Sequence, residues 1–208
     1  MPDKQTIHIV DDDDAARKSL EFLLKSAKLM VKAHESAVAF LAALPNLNPG
    51  CVITDVRMPG MSGIELLKRL KSMPNAIPVI VITGHGDVPL AVEAMKYGAA
   101  DFLEKPFDDD LLLGTVRSAL NRLEKDSKRE VERAEILNKI ATLSTRERQV
   151  LEGLVAGSPN KIIAFDLAIS PRTVEIYRAN VMTKMTAASL SDLVRKALTA
   201  GILNNTPG

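Results

Sequence analysis

The chain has 208 residues, of which 46% are hydrophobic and 25% charged, and its formal net charge is +1. This length suits two domains better than one, and the ordinary globular composition excludes a disordered or fibrous chain. The single Cys51 allows no disulfide within the chain. Charges interrupt every apolar run well before about 18 residues, so we expect no signal peptide and no membrane span, and predict a cytoplasmic protein.

The small net charge conceals an asymmetry between the two parts of the chain. Residues 1–121 carry 13 Lys and Arg against 16 Asp and Glu, whereas residues 144–208 carry 8 against 5. An acidic front and a basic tail indicate different partners and favour nucleic acid for the tail. The basic excess is too small to establish this by itself.

Five short apolar runs, each followed by a helical pattern, occupy residues 1–121. The runs are residues 6–10, 29–33, 51–54, 78–83 and 102–103. This alternation predicts an α/β fold with a five-stranded, doubly wound parallel sheet and helices on both faces. Ser36 is a predicted N-cap for a helix that carries Val38, Leu41 and Leu44 on one face, and Ser62 is a predicted N-cap for the next helix. A turn at residues 84–86 precedes a helix opened by Asp87.

Polar residues follow four of the predicted strands. Right-handed crossovers bring the carboxyl ends of parallel strands to one edge, where Asp11, Asp12, Asp55, Thr83 and Lys105 would meet. Carboxylates there could bind Mg²⁺, and a central one could be a nucleophile for a phosphoryl group held by the lysine and the threonine hydroxyl. Taken singly, these residues also fit a solvated acidic turn, a turn cap and a surface lysine. Their joint arrival at one edge favours the functional interpretation.

These strand ends resemble the receiver domain of two-component response regulators. The shared motifs are Asp-Asp after the first strand, Asp-x-x-Met-Pro after the third, Thr after the fourth and Lys-Pro after the fifth. Residues 82–89 and 104–107 look most like the nitrogen-fixation regulators of this family. The resemblance implies a flavodoxin-like receiver domain over residues 1–121 and phosphorylation of Asp55 by a sensor histidine kinase.

The same resemblance implies roles for the neighbouring residues. Mg²⁺ would be held by Asp12, Asp55 and the backbone carbonyl of Arg57, with Asp11 assisting through water. Phe102 takes the position of an aromatic switch where the family often has Tyr, so without a hydroxyl the switching must depend on packing. The implied dimer face is the fourth helix with the fifth strand, around Val92, Lys96 and Asp101.

Residues 122–142 are predicted to form a charged helical linker, since ten of the fourteen residues from 122 to 135 are charged. An approximate heptad seam, interrupted at two positions, runs through Leu120, Leu123, Ala134, Leu137 and Ala141. A single exposed helix and a short dimeric coiled coil both fit this pattern.

Four short helical patterns follow in residues 143–208. The apolar face of the second contains either Phe165 or Leu167, and the third begins with Ser170 as N-cap and Pro171 at the first helical position. A tight turn at residues 168–170 joins these two helices, as in a helix-turn-helix. A small helical bundle without that role has the same periodicity.

Three sequence motifs in the tail resemble those of the LuxR-type DNA-binding domain. The matching stretches are Leu143-Ser144-Thr145-Arg146-Glu147, Asn160-Lys161-x-Ile163-Ala164 and Ile169-Ser170-x-x-Thr173-Val174. The resemblance implies that the helix from Pro171 enters the major groove of double-stranded promoter DNA. The positions that match base contacts are Glu175, Ile176 and Ala179, with Arg172, Arg178 and Asn180 nearby. The residues that would chiefly bind phosphates are Lys161, Thr173 and Lys184.

Two functions of different classes follow from these patterns. The first is a transcriptional activator in which phosphorylation of Asp55 promotes homodimerisation, releases the DNA-binding tail and leads to action with RNA polymerase at a promoter. The second is a Mg²⁺-dependent phosphohydrolase with Asp55 as nucleophile. Such hydrolases usually need a second acid two residues further on, where this chain has Arg57. We therefore expect a protein that accepts a phosphoryl group but is not a turnover enzyme.

Overall fold

A computed structural model describes residues 5–48, 50–73, 77–84 and 88–202. The chain divides into two compact units, Met1–Lys125 and Asp126–Gly208. Apart from Gly84, the predicted turn at residues 84–86 and the helix start at Asp87 lie outside the described residues. Within the described ranges, every helix is too short or too polar to traverse a lipid bilayer.

The first unit contains a five-stranded sheet in which all neighbouring strands pair in parallel. The strands are β1 (Thr6–Val10), β2 (Met30–His34), β3 (Gly50–Asp55), β4 (Val79–Thr83) and β5 (Asp101–Glu104). The helices are α1 (Asp14–Ser26), α2 (Ala37–Ala43), α3 (Gly63–Lys71), α4 (Val88–Lys96) and α5 (Asp109–Ala141). The strand order β2-β1-β3-β4-β5 is that of a flavodoxin-like, doubly wound sheet, so the predicted fold class is confirmed.

Alternate side chains of the central strands pack on opposite faces of the sheet. Val10 and Val52 join the core cluster that includes α2, α3 and α4. Ile9 and Ile53 join the cluster that includes α1 and α5. Because helices cover both faces, the central strands are apolar at consecutive positions and do not alternate with polar residues.

The predicted N-caps begin their helices, but the burial predicted for one residue of a helix face is wrong. Ser36 caps α2, and Ser62 forms a capping box with Glu65 at the start of α3. Leu41 and Leu44 pack against the core as predicted. Val38 is 58% exposed, however, whereas Phe40 of the same helix is fully buried. A helix of seven residues is too short for its period to define the buried face, so contact with the sheet decides it.

Two histidines are buried side by side on β1 and β2. His8 Nδ1 and His34 Nε2 are 3.5 Å apart, and His8 Nε2 lies 3.2 Å from the Asn48 carbonyl oxygen. Both rings pack against Phe40. Burial lowers the pKa of His8. Burial, followed by the charges of His8 and Lys32, lowers the pKa of His34 to about 4.

We expect the first unit to lose stability as the pH falls from about 6.5 towards 4. Unfolded His34 binds a proton near its ordinary pKa of 6.5, but folded His34 does so only near pH 4. The stability that neutral His34 contributes to the folded state is therefore fully present above pH 6.5 and is lost as the pH falls towards 4. The shift in pKa corresponds to at most about 3 kcal/mol of unfolding free energy. Urea denaturation of wild type and His34→Gln, near neutral pH and near pH 4, measures this loss of unfolding free energy. If both proteins lost the same stability between the two pH values, His34 would not be its cause.

The second unit is built from four short helices and the last turns of α5. The four are α6 (Thr145–Val155), α7 (Asn160–Asp166), α8 (Pro171–Lys184) and α9 (Leu190–Ala200). Ile136 and Ile140 of α5 are buried in one cluster with Val150 and Val174. Residues 124–135 of α5 are exposed. The predicted linker thus combines an exposed helical stretch with a final part that packs in this core. Both alternatives for the exposed stretch, a single helix and a short dimeric coiled coil, stay open.

A tight turn joins α7 to α8. Ser170 caps α8 and Pro171 occupies its first position. Ala168 lies in the left-handed region with φ +52°, a conformation that ends many helices. Of the two residues considered for the apolar face of α7, Leu167 packs against the core, whereas Phe165 is 84% exposed.

Candidate functional site

The carboxyl ends of four parallel strands carry polar side chains to one edge of the sheet. Asp55 and Thr83 are the last residues of β3 and β4, and Asp11 and Lys105 directly follow β1 and β5. Since these strands pair in the order β1-β3-β4-β5, their ends lie side by side. The structure brings Asp11, Asp55 and Lys105 into direct contact.

The ammonium group of Lys105 lies between two buried carboxylates. Its Nζ is 3.0 Å from Asp55 Oδ1 and 3.1 Å from Asp11 Oδ2. Asp11 is 1% exposed and Asp55 is 9% exposed. Burial by itself would lower the pKa of Lys105, but the hydrogen bonds and charges of Asp55 and Asp11 outweigh it and raise the pKa. The lysine therefore stays protonated and offsets the repulsion between the carboxylates.

One backbone donor and one side-chain donor orient the Asp55 carboxylate. The Arg57 N–H donates to Asp55 Oδ2 at 2.7 Å, while Lys105 donates to Oδ1. The Thr54 hydroxyl donates to the Asp55 carbonyl oxygen at 3.0 Å. Each carboxylate oxygen of Asp55 thus has its own donor, which defines the direction in which the group presents its lone pairs.

Two residues that support this edge were missed from sequence. A Cβ at Gly63 would lie 2.1 Å from the Asp55 carbonyl oxygen, so a larger residue would displace α3 from the site. Arg17 Nη1 donates to the Asp11 carbonyl oxygen at 2.8 Å, and its Nη2 pairs with Asp14 at 3.0 Å. The available signals were a glycine directly after the Ser62 cap and an arginine three residues after an acid in the first turn of a helix.

The other predicted site residues lie at or near the same edge. Thr83 is 1% exposed. Phe102 is half-buried and packs against the core cluster on the α4 side of the sheet. Asp12 and Arg57 are exposed. Their roles in switching and metal binding stay predictions.

The donor chemistry of this edge fits Mg²⁺. Asp11, Asp12 and Asp55 offer carboxylate oxygens and Arg57 offers a carbonyl oxygen, the hard ligands that Mg²⁺ prefers. In the ranges that the structure describes, no three His, Cys, Asp or Glu side chains are grouped closely enough to hold a metal by themselves. A site here would therefore depend on the backbone carbonyl and on water as well as on the carboxylates, which is usual for Mg²⁺.

One face of α8 is accessible along its whole length. Val174 and Val181 anchor the helix in the core with no exposure. The exposed positions on the other side include Arg172, Glu175, Ile176, Ala179 and Asn180. Thr173 and Arg178 are half-buried, and Lys161 is exposed on α7. The predicted base-contacting positions thus share one face, although their contacts with DNA stay predictions.

Lys184 has an acceptor inside the second unit. Its Nζ is 2.6 Å from Glu147 Oε2 and 3.4 Å from the Thr142 carbonyl oxygen. Glu147 is 4% exposed, and the hydrogen bonds from Lys184 and from the Ser144 N–H lower its pKa. A DNA phosphate would compete with this carboxylate for Lys184. The sequence signal for Glu147 was its place in a Ser-x-x-Glu capping box.

The predicted dimer face contains exposed apolar surface on α4. Val92 is 45% exposed and Met95 51% exposed, and together with Ala91 and Lys96 they line a shallow depression. Asp101 is half-buried and accepts hydrogen bonds from the Phe102 N–H at 2.8 Å and the Thr115 hydroxyl at 3.3 Å. Pairing of this face with a second copy stays a prediction.

A doubly wound domain with a lysine-paired aspartate at its carboxyl edge, together with a helix-turn-helix unit, defines a two-component response regulator with a DNA-binding output domain. The family described as response regulator receiver domain matches residues 7–117. The family described as bacterial regulatory proteins, luxR family, matches residues 141–197. The chain belongs to the response regulators of the FixJ type.

Its similarity to known proteins extends over nearly the whole chain. The transcriptional regulatory protein FixJ of Azorhizobium caulinodans is 61% identical over 202 residues, which cover 97% of this chain and 96% of that protein. FixJ of Bradyrhizobium diazoefficiens is 58% identical over 205 residues, 99% of this chain and 100% of that protein. These relatives and the two matched domains identify a transcription regulator with a LuxR-type DNA-binding domain.

Solved structures agree with this assignment. Full-length FixJ from B. japonicum has a TM-score of 0.59 at 58% identity and covers 97% of this chain and 99% of that chain. The response regulator StyR has a TM-score of 0.79 at 38% identity and covers 94% of this chain and 98% of that chain.

Proposed function

We propose that this regulator is a transcriptional activator whose DNA binding is switched on when a sensor histidine kinase phosphorylates Asp55. The observation that carries the proposal is the position of Lys105 Nζ, 3.0 Å from Asp55 Oδ1 and 3.1 Å from Asp11 Oδ2. A carboxylate that accepts a phosphoryl group needs a cation beside it to stabilise the added negative charge. Lys105 is already within hydrogen-bonding distance of a carboxylate oxygen of the residue that would be phosphorylated.

In the transfer step, a carboxylate oxygen of Asp55 attacks the phosphorus of a phosphohistidine on the kinase. A P–O bond forms, the P–N bond breaks, and the imidazole nitrogen leaves with the bonding electron pair. The donors from Arg57 and Lys105 hold the two oxygens before the attack, which reduces the entropy that must be lost in the transition state. Lys105 and the Thr83 hydroxyl then donate to phosphoryl oxygens.

Mg²⁺ belongs to the proposed site because receiver domains of response regulators generally bind it. Asp12, Asp55 and the Arg57 carbonyl would hold the ion, with Asp11 acting through water. When bound, the ion offsets the repulsion of the carboxylates and stabilises the charge on the phosphoryl group. The Asp13 N–H donates to Asp11 Oδ1 at 2.9 Å, and this bond helps to keep the Asp11 carboxylate in a defined orientation.

Phosphorylation is proposed to change the α4 face through Thr83 and Phe102. The Thr83 hydroxyl would move towards the phosphoryl group, and Phe102, on the adjacent strand β5, would repack into the space beside it. Because phenylalanine has no hydroxyl, packing alone would stabilise the inward position. The proposed result is a face around Val92, Lys96 and Asp101 that binds a second copy, and a DNA-binding domain released for its operator.

The proposed output is major-groove recognition by α8. Base-edge contacts from Glu175, Ile176 and Ala179 would carry sequence information, whereas contacts of basic residues with phosphates would set affinity and register. A dimer would bind two half-sites about one helical turn apart. A promoter target implies action with RNA polymerase in the cytoplasm.

The proposal is tested by the mass and DNA affinity of the full chain with and without beryllofluoride and Mg²⁺. Light scattering should show conversion to a dimer on addition of beryllofluoride. Binding to a duplex selected from a random pool should tighten under the same conditions. If neither property changed, the proposal would be refuted. Repeated, rapid turnover of a small phosphate ester would instead support a phosphohydrolase.

A further inference from the structure

The C-terminal end of α8 adopts a turn that usually contains glycine. Thr186 lies in the left-handed region with φ +49°. Its N–H bonds the Thr183 carbonyl oxygen at 3.0 Å, and the Ala187 N–H bonds the Met182 carbonyl oxygen at 2.9 Å, as in a Schellman turn. A β-branched residue is strained in this conformation. The end of α8 is therefore weaker by itself than the same turn with glycine.

A lysine from α9 reaches this end of the helix. Lys196 Nζ is 2.7 Å from the Thr186 carbonyl oxygen and 3.5 Å from the Met185 carbonyl oxygen. Carbonyl groups at a helix C-terminus lack donors from the helix itself, and the helix dipole favours a cation there. Lys196 supplies both the missing donors and the positive charge.

Asp192 holds Lys196 in this position. Its Oδ2 accepts hydrogen bonds from Lys196 Nζ at 2.8 Å and from the Ala188 N–H at 3.0 Å. These two bonds are the main cause of a pKa of about 2 for Asp192, to which Arg195 also contributes. The side chain of Lys196 is 20% exposed. The ammonium thus has two carbonyl acceptors and one carboxylate acceptor, as many as it has N–H donors.

We propose that Lys196 is a positioning residue for DNA recognition, which holds the C-terminal end of α8 and so orients its exposed face without touching DNA. The inference rests on the proposed role of α8 in the major groove. Loss of Lys196 would leave a strained turn without its cap. With its C-terminal end no longer held, α8 would tilt, and Glu175, Ile176 and Ala179 would shift relative to the base edges. Although Lys196 lies in the basic tail, its three donors are engaged within the protein and it is not a phosphate ligand.

The test compares Lys196→Met with Arg195→Met in the full chain. Arg195 is a matched control because it is the neighbouring cation and pairs with the same Asp192, at 2.6 Å, yet its side chain is 77% exposed. Each variant is titrated with a duplex selected from a random pool by the wild type and with an unrelated duplex of equal length. Lys196→Met should weaken binding to the selected duplex about tenfold more than Arg195→Met, roughly the effect of one charge-assisted hydrogen bond.

Two further measurements separate positioning from electrostatics. Both variants should bind the unrelated duplex equally, and the slope of log K against log salt should be the same in both. Adding Thr186→Gly to Lys196→Met should restore most of the lost affinity, because glycine forms this turn without strain. If Lys196→Met partly unfolds the second unit, the double variant still tests the inference, because it keeps this substitution and removes the strain of the turn.

The outcomes distinguish this inference from the function on which it rests. Equal losses on the selected duplex for the two methionine variants would overturn it, as would a failure of Thr186→Gly to restore affinity. A salt slope lower by about one for Lys196→Met alone would show a phosphate contact and would also overturn it. If the wild type bound no duplex DNA, the proposed function itself would fail and this inference with it.

Discussion

When acetyl phosphate and Mg²⁺ are added, the Asp55→Asn variant should gain no detectable phosphoryl group and should stay in the oligomeric state of the unphosphorylated protein. An amide oxygen carries no negative charge and is a poor nucleophile, so we expect the rate of phosphorylation to fall by at least about a hundredfold. The substitution preserves the shape of the side chain, and Lys105 keeps Asp11 as a partner at 3.1 Å. Intact-protein mass spectrometry and light scattering on the same samples measure both effects.

Asp109→Asn is a matched control for this experiment. Asp109 is an exposed acid in the first turn of α5, so the same chemical change there should leave phosphorylation and dimerisation as in the wild type. If Asp55→Asn still gained one phosphoryl group, the acceptor would be another carboxylate of the same edge, with Asp11 and Asp12 as the first candidates. The assignment of the phosphoacceptor would then be wrong even if the regulatory scheme survived.

The Ala179→Glu variant should lose DNA binding by roughly a hundredfold or more, on selected and unrelated duplexes alike. Ala179 lies on the exposed face of α8 one turn from Glu175. A second carboxylate there would face the negative charge of the duplex, and opposed like charges in an interface cost several kcal/mol. Fluorescence anisotropy with labelled duplexes measures the loss. The packing of α8 in the core of the second unit should be unaffected, because Val174 and Val181 lie on the other side of the helix.

Ala179→Lys separates charge from shape at the same position. Its long side chain should abolish the preference for the selected duplex by obstructing contact with base edges. Its positive charge should preserve or increase binding to the unrelated duplex. Wild-type affinity and preference in both variants would show that this face of α8 does not enter the groove.

The architecture and the edge of the sheet could be predicted from sequence because they depend on local patterns and one topological rule. Lys105 and Asp11 are 94 positions apart and still form a 3.1 Å ion pair. Each directly follows a strand of the sheet, and parallel strands joined by right-handed crossovers place such residues at one edge. The helix starts were predictable for a similar reason, since an N-cap such as Ser62 bonds only to its own helix.

The remaining features required the tertiary structure because they depend on which surfaces meet. The burial of Phe40 in place of Val38 follows from how a short helix lies on the sheet, which its own seven residues do not encode. Glu147 and Lys184 are 37 positions apart on different helices, and no strand end or cap brings them together by rule. The sequence places Lys196 four residues after Asp192, a spacing that suits an ion pair. It gives no signal for the contact of Lys196 with the turn of α8, because a lysine in solvent would have the same local pattern. Asp55 could be singled out as a candidate phosphoacceptor from the sequence, whereas the support of α8 by Lys196 depends on side-chain packing between helices.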